Sequence, residues 1–317
     1  MKLWHSFLDW LTEALVRRVF NYIARKDEKT GLSLCRRIVN GYIFFRPHFK
    51  RAALKNLSIV FPELPLKEKE KIAKSSYSIL AENLFWFSRI QKLNREELKA
   101  LFDYREAQPI FQKFLDSKVG GLIITPHFGL FELLAQGQAV WGRPYSALVR
   151  EFGMPRFDKF WRDTRQKFGL TIFGRKGGYK DIIRNLNEGH EVAVLFDQNV
   201  KRAHAAFVDL FGVPAATTKS IALAAIRTGC PVVFAACMEN PPEEQKHGRF
   251  QIYAKEILNP NVDPDLMDKS PDDKVIGFLR KANKELETLI RLKPDKWFWI
   301  HRRWKTRPVG EPENFYD

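Results

Sequence analysis

Between residues 118 and 257 the chain alternates short apolar runs with segments of helical period. Residues 119–125, 145–149, 170–173, 191–196, 231–238 and 250–257 are the runs. Between them, 129–140, 156–168, 179–187 and 217–228 carry apolar side chains at helical spacing. This order predicts an α/β fold with a mostly parallel central sheet flanked by helices. A helix over 272–292 closes the domain, and 67–115 reads as helical with breaks near 92–94 and 105–109.

Residues 2–24 predict an amphipathic helix. Leu3, Trp4, Phe7, Leu8, Leu11, Ala14 and Leu15 recur at helical spacing, with Trp10 at the edge of the stripe. Asp9, Glu13 and Arg17 interrupt it, and Arg18 falls on the apolar face. A spanning helix needs roughly 20 predominantly apolar residues, which this stretch does not supply. A secretory cleavage site of small residues is also missing. Aromatic residues on one face, with Arg17, Arg18, Arg25 and Lys26 nearby, suit a helix lying in a bilayer interface. A helix that caps the core is the other reading. A second aromatic patch, Tyr42-Ile43-Phe44-Phe45, is followed by Arg46, Lys50 and Arg51.

Charge sharpens this picture. Of a net +16, residues 1–55 contribute 12 Lys/Arg against 4 Asp/Glu, and 291–308 contribute 7 against 1. Clustered positive charge calls for an anionic partner, such as anionic lipid, an acidic protein or nucleic acid. No nucleic-acid motif accompanies it. Cys35, Cys230 and Cys237 form no metal or disulfide pattern, and the histidines have no metal-ligand spacing, so no metal site is expected.

In parallel sheets, sites collect at the carboxyl ends of strands. His127 follows the first predicted strand, Asp197 ends a later one and Arg150 ends a third, which makes a plausible shared cleft. His127 and Glu132 are five apart. Within one helix they would diverge by about 140°. They meet only if His127 lies in the turn before the helix, which Pro126 and Gly129 favour. Glu132 is then expected to orient the imidazole, His127 to act as general base, and main-chain N–H groups near Gly129 to receive an oxyanion. No Ser or Cys stands beside His127, so direct attack by a substrate hydroxyl fits better than a covalent intermediate.

Other segments extend the pattern. Asp197-Gln198-Asn199 is followed by the run from Phe207 to Ala215 and by Thr217-Thr218. The C-terminal run Trp297-Phe298-Trp299-Ile300-His301-Arg302-Arg303-Trp304-Lys305-Thr306-Arg307-Pro308 is the most specific. Asn56-Leu57 and Phe61-Pro62-Glu63 add to it. From about residue 50 to 308 the chain closely resembles the lipid A biosynthesis lauroyl/myristoyl acyltransferases of Gram-negative bacteria. Its box is similar to the wider H-x4-D/E glycerolipid acyltransferase group, although Leu130-Phe131 stand where the family often has Asn-Trp.

The resemblance implies a glycerol-3-phosphate acyltransferase-like domain over 26–317, behind a membrane-associating helix over 1–25. It implies transfer of an acyl chain from acyl carrier protein, or acyl-CoA, to a hydroxyl of a lipid A precursor. The acyl thioester is a co-substrate, and no other cofactor is expected. The place of action would be the cytoplasmic face of the bacterial inner membrane. Another glycolipid or an amino-acid lipid is the alternative acceptor. Arg165 looks like a family arginine linked to the site, or is a surface charge. Asp197 is expected to order Arg165 or shape the cleft, and Arg150 to bind a phosphate. Arg302, Arg303, Lys305 and Arg307 suit lipid phosphates or the acidic carrier protein. The segment 174–178 lacks P-loop spacing and reads as a turn with substrate-contact potential. Leu80, Leu84, Phe85, Phe87 and Ile90 are core or the wall of an acyl pocket.

Overall fold

The predicted alternation is present in the structure, a computed structural model that describes residues 2–141, 144–174, 177–312 and 315–316, apart from the side chains of 2–4 and 115. The first part of the chain is helical: α1 (Lys2–Ala24), α2 (Glu28–Phe44), α3 (Pro47–Val60), α4 (Leu66–Arg89) and α5 (Arg95–Ala100). The break expected near 92–94 is a helix start, where Asn94 and Glu97 form a capping box. The break near 105–109 follows the short strand β1 (Phe102–Asp103) and leads into α6 (Gln108–Asp116).

The alternating part follows as β2 (Leu122–Thr125), α7 (Phe131–Val140), β3 (Tyr145–Val149), α8 (Pro155–Gln166), β4 (Leu170–Gly174), α9 (Gly178–Asn187) and β5 (Glu191–Leu195). Next come β6 (Ala205–Leu210), β7 (Val213–Thr218), α10 (Ser220–Thr228), β8 (Val232–Glu239), β9 (Phe250–Ile257) and α11 (Pro271–Leu292). The helix expected over 217–228 starts late, because 213–218 pairs antiparallel with β6. Phe211 (φ 55) and Gly212 (φ 76) form the two-residue turn between them, and two positive φ angles match the twist of a tight hairpin.

The main sheet runs β1-β9-β8-β2-β5-β3-β4. Its pairings are parallel except β8 with β9. Side chains alternate across it and define two cores. Leu122, Ile124, Val192, Val194, Val232 and Phe234 pack on one side with α3, α9, α10 and α11. Ile123, Ala193, Val233, Tyr145 and Ala147 pack on the other with α2, α4, α7 and α8. Phe85, Phe87 and Ile90 belong to that second core. Among the described residues, no helix is long and apolar enough to cross a membrane.

Candidate active site

β2 ends at Thr125, and the next five residues form a turn before α7. His127 therefore sits in the turn, as the spacing argument requires. Four main-chain bonds fasten this turn. The Gly129 N–H donates to the Lys296 carbonyl (2.8 Å), and Leu130 N–H donates to Cys237 (2.9 Å). Phe298 N–H donates to the His127 carbonyl (3.1 Å), and Phe128 N–H donates to Pro126 (2.8 Å). Gly129 has φ +55, and a Cβ there would lie 2.2 Å from the Cys237 carbonyl oxygen. The Gly129 amide expected to receive an oxyanion is thus already committed to Lys296. The role of Gly129 in the structure is to let the turn touch β8.

The imidazole partner differs from expectation. His127 Nδ1 lies 2.7 Å from Asp197 Oδ1, and the His127 main-chain N–H donates to Asp197 Oδ2 (2.9 Å). The Trp297 indole donates to the same Oδ2 (2.9 Å). Asp197 is 2 % exposed and His127 15 %. Burial alone would raise the Asp197 carboxyl, but the charge of His127 and the three donors hold it below the ordinary value. An ionised Asp197 fixes the proton on Nδ1 and leaves the Nε2 lone pair facing outward. The Gln198 amide nitrogen lies 3.2 Å from Nε2. Phe131 and Phe298 flank the ring.

Glu132 does not pair with His127 here. Its carboxylate takes a two-point ion pair from Arg165, with Nε at 3.0 Å and an Nη at 2.5 Å. The physical reason is reach: Asp197 lies two residues past the end of the adjacent parallel strand β5, whose Leu195 pairs with Thr125 at the end of β2, whereas Glu132 on α7 meets Arg165 of α8. Arg165, in the last turn of α8, lies over the rings of Trp161 and Phe87. Asn83 of α4 supports the arrangement by accepting from Glu132 N–H (3.0 Å) and donating to the Gly129 carbonyl (2.9 Å).

A half-open hollow, about 490 Å³ with its open solvent included, is lined by Thr125, by Phe131, Glu132, Leu134 and Ala135 at the start of α7, and by Arg165. Tyr145, Ala147 and Val149 of β3 and Ala193 and Leu195 of β5 line it, as successive inward positions of each strand do. Beyond the Glu132–Arg165 pair and the hydroxyl-bearing Thr125 and Tyr145, the lining is apolar. A titratable base, a carboxylate holding it and an adjoining apolar slot are the parts that transfer of a fatty chain to a hydroxyl requires.

Residues 18–306 match the sequence model described as bacterial lipid A biosynthesis acyltransferase. The chain belongs to that family. It is 26% identical over 264 residues to the lipid A biosynthesis myristoyltransferase of Escherichia coli K12, covering 83% of this chain and 77% of that one. It is 27% identical over 272 residues to the lauroyltransferase of the same organism, covering 82% and 80%. With the palmitoleoyltransferase the identity is 24% over 284 residues, covering 84% and 83%.

In this acyltransferase the C-terminal run is mostly a structural lock. Arg303 is fully buried and donates to the Ala216 carbonyl (2.8 Å) and the Thr217 hydroxyl (2.6 Å). Arg307, 4 % exposed, donates to the Pro214 carbonyl (2.7 Å) and pairs with Glu311. Both side chains are buried, so neither presents its guanidinium to lipid phosphates or a carrier protein: Arg303 is turned to β7, and Arg307 is shared between β7 and Glu311. Lys305 is exposed, and Arg302 is half-buried against the Tyr316 ring. Arg150 is exposed and lines a second hollow with Arg162 and Arg165 instead of meeting His127. Asp197 bonds His127 and not Arg165. Of the turn at 174–178, Arg175 and Lys176 lie outside the described residues.

Several contributors escaped the sequence reading. Trp297 and Gln198 lie within the C-terminal run and the Asp197-Gln198-Asn199 segment, but nothing in a linear motif says that an indole 100 positions away caps the Asp197 carboxylate. His301 is also structural. Its Nε2 accepts the Asn199 N–H (2.8 Å), and burial pulls its pKa down to about 4. Asn56 binds the carbonyls of Trp299 (2.7 Å) and His301 (2.8 Å), tying α3 to the run.

Proposed function

We propose that this acyltransferase moves a fatty acyl chain from a thioester of acyl carrier protein, or acyl-CoA, to a hydroxyl of a lipid A precursor. The observation that carries the reading is the Asp197-held His127, whose ring packs on Phe131, a residue that also lines the hollow running to Ala147 and Ala193. Names borne by the relatives supply the acceptor class. The acceptor hydroxyl takes the position Gln198 occupies beside Nε2 and gives its proton to that nitrogen. Its oxygen attacks the thioester carbonyl, the C–S bond breaks, and the thiolate leaves with the proton from the imidazolium. Asp197 stabilises the imidazolium, and the acyl chain lies in the cavity past the Glu132–Arg165 pair.

The work takes place at the cytoplasmic face of the bacterial inner membrane, with α1 in the bilayer interface. In support, Phe7, Trp10, Leu11 and Leu15 on α1 and Phe44 and Phe45 at the end of α2 are exposed, amid the basic excess of residues 1–55.

The deciding assay incubates the protein with acyl carrier protein thioesters or acyl-CoA and a tetra-acylated lipid A precursor, read by mass spectrometry. A gain of one acyl chain is expected. No gain with any donor or acceptor defeats the reading.

A further inference from the structure

In helix α8 the Asp158 carboxylate accepts the N–H groups of Phe152, Gly153 and Met154 in the loop before it, but no side chain at its own N-cap serves the N–H groups of the first turn. Met154 precedes it without a side-chain cap, and Pro155 fills its first position. The next two N–H groups, of Arg156 and Phe157, are donors a helix leaves without internal partners. Both donate to Asp9, at 2.9 and 3.1 Å, so the cap is supplied from the middle of α1. Asp9 is 7 % exposed, whereas Phe7 and Leu11 are 48 and 44 % exposed. Two residues along a helix turn through about 200°, so these side chains occupy opposite faces of α1. One face holds α8, where Phe20 packs on Phe160 and Trp161 and Arg17 lies over Phe160. The other is apolar and exposed, with Leu11 44 % and Leu15 59 % accessible. The far end of α8 carries Arg165 and its ion pair with Glu132.

We propose that α1 couples seating on an anionic lipid bilayer to the order of α8, with Asp9 as the link and the position of Arg165 as the output. The proposal rests on the membrane reading of α1 above. Charge and exposed apolar side chains together select the occupant: 12 Lys/Arg against 4 Asp/Glu in residues 1–55 favour an anionic surface over a neutral or basic one, and the apolar face favours a bilayer. A bilayer takes up the apolar face of α1, holds the helix in one orientation, and so keeps the Asp9 carboxylate on the α8 amides. Asp9 is a positioning residue, because it acts on the site through α8.

The test uses the full chain with vesicles of equal parts phosphatidylglycerol and phosphatidylcholine. Sedimentation reads lipid binding, and hydrogen exchange of 155–166 reads the order of α8. In the wild type the vesicles should slow exchange in both α1 and α8. Asp9→Ala should still sediment, with α1 protected. Its α8 amides should exchange faster by about 2- to 30-fold, the loss expected for a missing cap, and should not respond to vesicles. Asp9→Asn keeps an acceptor oxygen and should restore part of the protection. If Asp9→Ala fails to fold, the Asp9→Asn response stands in for it. Wild-type protein that sediments without any change in α8, or an Asp9→Ala variant that keeps the response, overturns the coupling alone. Failure of the wild type to sediment overturns the membrane reading and the coupling with it.

Discussion

At the residue scale, the two carboxylates near His127 have different tasks, and substitution separates them. His127→Ala should lower turnover by about two to four orders of magnitude with the thermal midpoint little changed. Asp197→Asn should cost a similar amount, because the carboxylate that fixes the imidazole proton is gone. Glu132→Gln leaves that bond in place and breaks the Arg165 pair, so its main effect should fall on the thermal midpoint and on binding of the acyl donor. Steady-state kinetics with calorimetry decides, and a Glu132→Gln loss equal to that of His127→Ala together with an active Asp197→Asn would reverse the assignment. His301 adds a pH dependence. Its pKa is about 4 in the folded chain, because burial disfavours the cation, against about 6.5 in the unfolded chain. The unfolded state therefore takes up a proton first as pH falls. The contribution of His301 to stability is fully present above about pH 6.5 and is lost progressively down to about pH 4. Denaturant midpoints across that range should show a shallower slope for His301→Gln.

At the element scale, the strands and helices of the alternating region were legible because each covered strand is a short apolar run and each helix has its own period. The 145–149 strand was read with its observed ends. What escaped was the β6–β7 hairpin. Its turn residues, Phe211 and Gly212, lack the usual Asn-Gly signature, and the hairpin is held from outside by Arg303 and by Glu287, which accepts the Phe211 N–H (2.6 Å). Arg303→Met should accordingly destabilise the fold by about 3 kcal/mol or more if the hairpin carbonyl and hydroxyl are left without a donor. Lys305→Ala, at an exposed position, should leave the thermal midpoint unchanged. The turn before α7 makes a second element-level prediction. Gly129→Ala puts a methyl group against the Cys237 carbonyl and forces a positive φ on alanine, so turnover and stability should fall together.

At the scale of the whole molecule, the cavity joins β2, β3, β4, β5, α7 and α8, so no single segment announces it. Ala193 and Ala147 are small residues on its sheet wall. Ala193→Leu should shorten the acyl chain that is accepted, seen as a shift of product masses toward shorter additions in a mixture of donors. An unchanged product profile would remove the cavity as the acyl site. The N-terminal helix was legible as amphipathic from its spacing. That its polar interruption at Asp9 reaches across to cap α8 was not, because 147 positions separate the partners.

The sequence by itself determined the α/β order, the turn that carries His127 and the family, since periodicity, a five-residue spacing and contiguous motifs are local properties. Tertiary structure alone decided which carboxylate holds His127, because neighbouring strand ends bring Asp197 to it across 70 positions while Glu132 turns to Arg165. It also decided that Arg303 and Arg307 are buried braces, since a basic side chain reads the same in sequence whether it faces water or a row of carbonyls.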